Sequence, residues 1–174
     1  MTPAELEAKA LSYLERFDAT ASKLRAVLVR YVTRAHPEGQ GPPAQVLAQI
    51  DALVRRYSGS GLIDDGRYAY SLARGLRERG LSRPTILARL QARGVSAEVA
   101  ERALQQVDAD AAGDTSNNPE LDAARALVRR RRLGPLRPPT ERAARRERDL
   151  AVLARAGFSY SVARAALELE GREE

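Results

Sequence analysis

The sequence predicts an all-α protein built from three tandem three-helix modules. Composition is the first reason: of 174 residues, 44% are hydrophobic and 30% charged but only 5% aromatic, a bias toward helices with small interiors and away from sheets. The second is periodicity, since apolar residues recur at three- and four-residue spacing in short runs separated by Gly, Pro and Ser. The third is an internal repeat. Residues 87–107 (LARLQARGVSAEVAERALQQV) align without a gap to 150–170 (LAVLARAGFSYSVARAALELE), nine identities in 21 at an offset of 63. Gly94 then matches Gly157, Ser96 Ser159, Val99 Val162 and Leu104 Leu167: a helix stop, the next helix's cap and its apolar stripe. Thr20, Leu24 and Leu28 match Ser82, Ile86 and Leu90 at an offset of 62, which brings the start of the chain into the series. The expected modules are 1–60, 61–108 and 120–174, with a loop insertion at 36–43 and a linker at 109–119.

Thr2-Pro3-Ala4-Glu5 opens the first helix with a capping hydroxyl, Pro at the first helical position and Glu three residues after the cap. Its stripe is Leu6, Ala10, Tyr13, Leu14 and Phe17. Thr20 caps a second helix with the stripe Leu24, Val27, Leu28 and Tyr31. After the loop, Val46, Ile50, Leu53, Val54 and Tyr57 mark a third, which ends at Ser58-Gly-Ser-Gly61. The central block predicts helices from Asp65 to Arg79, from the Gly80-Leu-Ser82 turn to Arg93, and from Ala97 to Val107. Residues 109–119 carry acids and turn formers. The last block predicts helices over 120–132, 141–156 and 160–170, the first two separated by Gly134-Pro-Leu-Arg-Pro-Pro139.

Several chemistries drop out. With no Cys and a single His, no disulfide, thiol nucleophile, thiolate metal site or His pair for zinc is available. Neither Lys9 nor Lys23 follows a Gly, so there is no Walker-type phosphate loop. His36 sits in a Pro/Gly-rich loop and receives no catalytic part. The adjacent carboxylates of Asp64 and Asp65 suggest Mg²⁺ at first sight. Their place before Arg67-Tyr68-Ala69 instead suits a helix cap and first-turn negative charge. No enzyme activity, metal or cofactor is expected. Met1–Ala10 lacks a signal-peptide core and no run of about 18 apolar residues occurs, so the expectation is a cytoplasmic protein with no membrane partner.

Charge is the positive signal. The net charge is +6, and only Lys9 and Lys23 among the 29 basic residues are lysines; Arg suits bidentate recognition of phosphate and carboxylate. Segment 125–148 holds ten Arg against Glu141 and Glu147, and segment 66–93 holds seven against Glu78. Such zones point to a polyanion or an acidic protein surface. At 100° per residue, an inward stripe of Tyr68, Leu72 and Leu76 turns Arg67, Tyr70, Arg74 and Arg77 outward, an aromatic among arginines. With Ala143, Leu150 and Leu153 inward, Arg145, Arg148 and Arg155 turn outward. Arg129 and Arg130, with Arg132, fall away from the stripe Leu121, Ala124 and Val128 better than Arg131 does.

Gly61-Leu-Ile-Asp-Asp-Gly-Arg-Tyr-Ala69 resembles a pattern of the RecX family of bacterial regulators of the RecA recombinase: Gly, two apolar residues, Asp-Asp, any residue, Arg, aromatic, Ala. Arg74, Arg77 and Gly80-Leu-Ser-Arg-Pro-Thr-Ile86, then Leu90 and Gly94-Val95, resemble the family's basic helix, turn and next helix. Ala10-Leu11, Leu14, Thr20, Lys23-Leu24 and Leu28 resemble its start, and Arg155-Ala-Gly-Phe-Ser159 with Val162 its end. The long 36–43 loop and the acidic 109–119 linker depart from the pattern and bear on module spacing. The resemblance implies an elongated, curved, all-helical monomer in the groove of the RecA filament on single-stranded DNA. There it would modulate, usually inhibit, strand exchange, filament growth and repressor cleavage in DNA repair and the SOS response. The candidate contacts are Arg67, Tyr70, Arg74, Arg77, Arg83, Arg129, Arg130, Arg145, Arg148 and Arg155. Double-stranded DNA is expected to bind only weakly and without sequence preference. The rival reading is a helix-turn-helix-like transcription regulator, for which residues 83–93 offer Arg83, Arg89, Gln91 and Arg93, spread around the helix.

Overall fold

The computed structural model describes residues 2–35, 41–111 and 118–168. His36 and residues 37–40 of the expected loop, residues 112–117 of the expected linker and the last two residues of the expected final helix lie outside them. The helices are α1 (Pro3–Leu14), α2 (Ala21–Ala35), α3 (Ala44–Gly59), α4 (Asp65–Glu78), α5 (Arg83–Ala92), α6 (Ala97–Ala111), α7 (Pro119–Arg131), α8 (Pro139–Arg155) and α9 (Tyr160–Glu168), with a 3-10 turn over Gly134–Leu136. The described residues contain no strand, and the all-α expectation holds. Thr2 and Glu5 form the predicted capping box. Asp64 accepts from the Arg67 N–H at 2.9 Å and Asn118 from the Leu121 N–H at 3.1 Å, so both helices start on a satisfied donor. The linker is shorter than its composition suggests, because α6 runs on to Ala111 and Pro119 is already helical.

Buried side chains gather into three clusters, one within each successive triplet of helices. Leu6, Ala10, Leu24, Leu28, Val32, Ile50 and Tyr57 lead the first, with Ile63 after α3. The second centres on Ala69, Ala73, Ile86, Leu90, Ala100 and Leu104, and the third on Ala124, Val128, Leu153, Phe158, Ala163 and Ala166. Alanines in the packed faces let helices approach closely, which replaces the bulk that aromatic residues supply elsewhere. Two expected core aromatics are displaced. Phe17 lies beyond the end of α1 and is 51% exposed, and Tyr31 is 38% exposed because Val32 takes the buried place on α2.

The triplets join through one contact pattern used twice. At the first junction the Thr20 hydroxyl donates to the Arg93 carbonyl at 2.8 Å. At the second the Ser82 hydroxyl donates to the Ala156 carbonyl at 2.6 Å. Each hydroxyl precedes the middle helix of one triplet, and each carbonyl belongs to the turn between the last two helices of the next. A first-turn acid of the next triplet also reaches back to that middle helix. Asp65 accepts from the Ala21 N–H at 2.8 Å, and Glu120 accepts from the Arg83 N–H at 3.1 Å. The Asp64-Asp65 pair is thus divided between two helix starts, one local and one 44 residues away. The turns close on Gly94 (φ +83°) and Gly157 (φ +90°), where a Cβ would stand 2.7 Å from Ser22 Cβ and 2.5 Å from Ser82 Oγ.

A basic cleft as the candidate functional site

The expected cationic face of α4 is rotated. Its buried stripe is Ala69, Ala73, Leu76 and Arg77, roughly 85° from the stripe implied by Tyr68, Leu72 and Leu76 at 100° per residue. The small alanines take the centre of the face against α6, while Tyr68 and Leu72 stay at its margin, half-buried. Arg77 is therefore not an outward contact. Its guanidinium pairs side-on with Asp108 (Nε–Oδ1 2.8 Å, Nη2–Oδ2 2.9 Å) and donates from Nη1 to Glu120 at 2.7 Å and to the Leu81 carbonyl at 3.0 Å. Burial disfavours its charge, but the bonds to Asp108 and Glu120 outweigh it and hold the guanidinium above its ordinary pKa. Arg77 ties the end of α6 to the start of α7.

Its neighbours are also engaged. Tyr70 is half-buried, and its hydroxyl donates to Asp110 at 2.7 Å, a bond that raises its pKa. Arg74 is exposed and lies 3.7 Å from Glu78. The cleft beside them is lined by Glu78, Asp108, Asp110 and Asp122 as well as by the two arginines, so it is not the basic surface expected there. Arg83 pairs with Glu101. Arg67 stays exposed in the first turn of α4.

Four arginines meet at the second junction in a cleft that no carboxylate lines. A cleft of about 370 Å³ lies between the α4–α5 turn, the end of α7 and the end of α8, and four exposed arginines line it: Arg89, Arg130, Arg131 and Arg155. Its other walls are Gly80, Leu81, Thr85, Leu127, Val152 and Ala156, with no acidic group. Arg130 and Arg155 were expected to face outward and do. Arg89 and Arg131 were missed as partners of theirs. Arg131 continues the direction of the buried stripe Ala124–Val128, but α7 overruns its core by a turn, and there the inward direction opens onto the cleft. The guanidinium of Arg129, also exposed, is not part of this lining.

A row of cations leads away along α8. Every residue from Pro139 to Arg148 is exposed, so Ala143 does not face inward as expected; the third cluster begins only at Leu150 and Leu153. Arg148 lies on the side of α8 that carries Val152 and Arg155, about 10 Å up the axis, and Arg145 lies nearby with Glu141 at 3.8 Å. The helix is anchored by Asp149, which is fully buried. Its carboxylate takes both Arg137 bonds at 2.8 Å and the Gly134 N–H at 2.8 Å. Burial raises its pKa, but Arg137 and the Gly134 N–H more than compensate and hold it below the usual carboxylate range.

A family model described as RecX, second three-helix domain, matches residues 64–104. The regulatory protein RecX of Myxococcus xanthus is 41% identical over 169 residues, which are 97% of this chain and 87% of that one. The chain belongs to the RecX family. The regulatory protein RecX of Agrobacterium fabrum is 31% identical over 88% of this chain and 76% of its own length. The crystal structure of RecX from Lactobacillus salivarius, 17% identical, superposes with a TM-score of 0.66 over 95% of this chain and 94% of that one, so the helical arrangement is the RecX fold. The matched RecX domain runs from the Asp64 cap into α6 and contains Arg89, while the other three cleft arginines come from the following triplet. Among the described residues no helix is long and apolar enough to cross a membrane, and no group of three or more His, Cys, Asp or Glu could hold a metal ion.

Proposed function

We propose that this protein regulates, by inhibition, the RecA recombinase assembled on single-stranded DNA, lying in the filament groove as a cytoplasmic monomer made of three tandem modules. The observation that carries this reading is the cleft of Arg89, Arg130, Arg131 and Arg155, four exposed cations with no acidic group in its lining. A concave surface whose charged groups are all cationic seeks phosphate or clustered carboxylates, both of which a nucleoprotein filament presents. Arg145 and Arg148 extend the same surface along α8, Arg129 adjoins it on α7, and Arg67, at the far end of α4, is a separate, lesser contact. Occupying the groove would hinder strand exchange and repressor cleavage, and a protein bridging filament subunits would also impede filament growth. Duplex DNA binds the same cations weakly and without sequence preference.

The transcription-regulator reading has less support. The first turn of α5, where base contacts would have to arise, is covered by Glu120, and its Arg83 is held by Glu101. Co-sedimentation with filaments of the host recombinase on single-stranded DNA tests the proposal. The wild-type chain should pellet with filaments, and the Arg130→Glu/Arg155→Glu variant should not. Equal pelleting of the two, or failure of the wild type to pellet, would contradict it.

A further inference from the structure

The first triplet carries a second cationic surface, unlike the cleft in that it is aromatic. A groove of about 340 Å³ between α1 and α2 is lined by Lys9, Arg16, Arg30 and Arg34 together with Tyr13, Phe17 and Tyr31, and by no carboxylate. Phe17 and Tyr31 are the exposed aromatics that the triplet core leaves out. Each already has a cation against its ring: the Lys9 ammonium is 5.1 Å from the Tyr31 centroid, and the Arg16 guanidinium 5.6 Å from that of Phe17. Tyr13 and Phe17 are themselves 5.1 Å apart. A neighbouring cleft of about 550 Å³ shares Tyr13 and Phe17 and continues to Lys23, Tyr68 and Arg93 at the first junction, with Asp18 as its acidic group.

We infer that this face is a binding site for single-stranded nucleic acid, with bases stacked on Phe17 and Tyr31 and phosphates held by Lys9, Arg16, Arg30 and Arg34. The chemistry selects the ligand. Exposed rings flanked by cations match a polyanion whose planar groups are free to stack, and a duplex keeps its bases stacked on one another. A second copy of the chain would bring four cations against four, which repel. The site stands apart from the proposed recombinase contact, on other helices, and concerns nucleic acid alone.

The test is fluorescence anisotropy with labelled oligothymidine and a labelled duplex, using the full chain and no recombinase, so its outcome is independent of the filament experiment. Phe17→Ala/Tyr31→Ala should weaken single-strand binding about 10-fold or more and leave duplex binding unchanged. Arg30→Gln/Arg34→Gln should weaken both and lower the single-strand salt slope by about 0.7 per lost contact. All these positions are exposed, so melting temperatures should match wild type. Because the chain has no Trp, Phe17→Trp supplies a lone indole whose emission oligothymidine should quench and duplex should not. Absence of wild-type single-strand binding, equal loss of single-strand and duplex affinity in the aromatic variant, or a wild-type dimer that the aromatic variant dissociates would each overturn the inference.

Discussion

Arg77 and Arg74 lie one turn apart on α4 and should behave as opposites. Arg77→Met strips the shared cation from Asp108 and Glu120, which remain largely buried, and should cost about 3 kcal/mol in urea unfolding. Arg74→Met touches one exposed ion pair and should stay within about 0.5 kcal/mol. Equal effects would mean that Arg77 is not the tie between α6 and α7. Asp149 gives a pH test. A carboxylate with a depressed folded pKa stabilises the fold fully above the unfolded value near ~4 and loses that contribution as pH falls through the folded value. Asp149→Asn should lower the Tm by roughly 5–10 °C at neutral pH and flatten the fall in Tm below about pH 4. An unchanged acid limb would show that the Arg137 pair does not shape it. At this scale the sequence was legible where a residue acts on its own helix: the Asp64 cap needed only the three residues after it. Asp65 and Arg77 act across 44 and 43 positions, and no local pattern marks such partners.

Between elements, the repeated junction makes the small residues accountable. At Gly157 an alanine would have to adopt φ +90° and place its Cβ 2.5 Å from Ser82 Oγ, so Gly157→Ala should cost about 2–3 kcal/mol. Removing the hydroxyl clears part of the space. Ser82→Ala in the Gly157→Ala background should therefore cost less than Ser82→Ala alone, giving a coupling near 1 kcal/mol in a double-mutant cycle. Strict additivity would mean the turn does not press on that hydroxyl. The offsets of 62 and 63 exposed this recurrence in sequence, because Thr20 with Ser82 and Gly94 with Gly157 are matched pairs. What the repeat could not show is that each pair meets its partner across a triplet boundary. A glycine stop and a hydroxyl cap satisfy local rules, and their contact is a property of docking. The α4 stripe was misplaced for a related reason. Large apolar residues weigh most in a periodicity, whereas the tight α4–α6 contact is made by Ala69 and Ala73.

Across the whole molecule the arginines divide by what surrounds them. Arg74 and Arg77 on α4 and Arg83 at the start of α5 face carboxylates, and those that meet at the second junction face solvent. Segment charge identified the basic zones but not this division, since Arg89, Arg130, Arg131 and Arg155 come from three helices that only the docking of two triplets brings together. Association through such a cleft should weaken as salt rises, and less steeply once its arginines are neutralised. The most direct test is a strand-exchange titration with the host recombinase, comparing wild type with Arg89→Glu/Arg130→Glu/Arg155→Glu at matched Tm. Wild type should suppress exchange in proportion to its concentration while the variant leaves it running; equal suppression by the two, or no effect of wild type, would contradict the cleft as the regulatory surface.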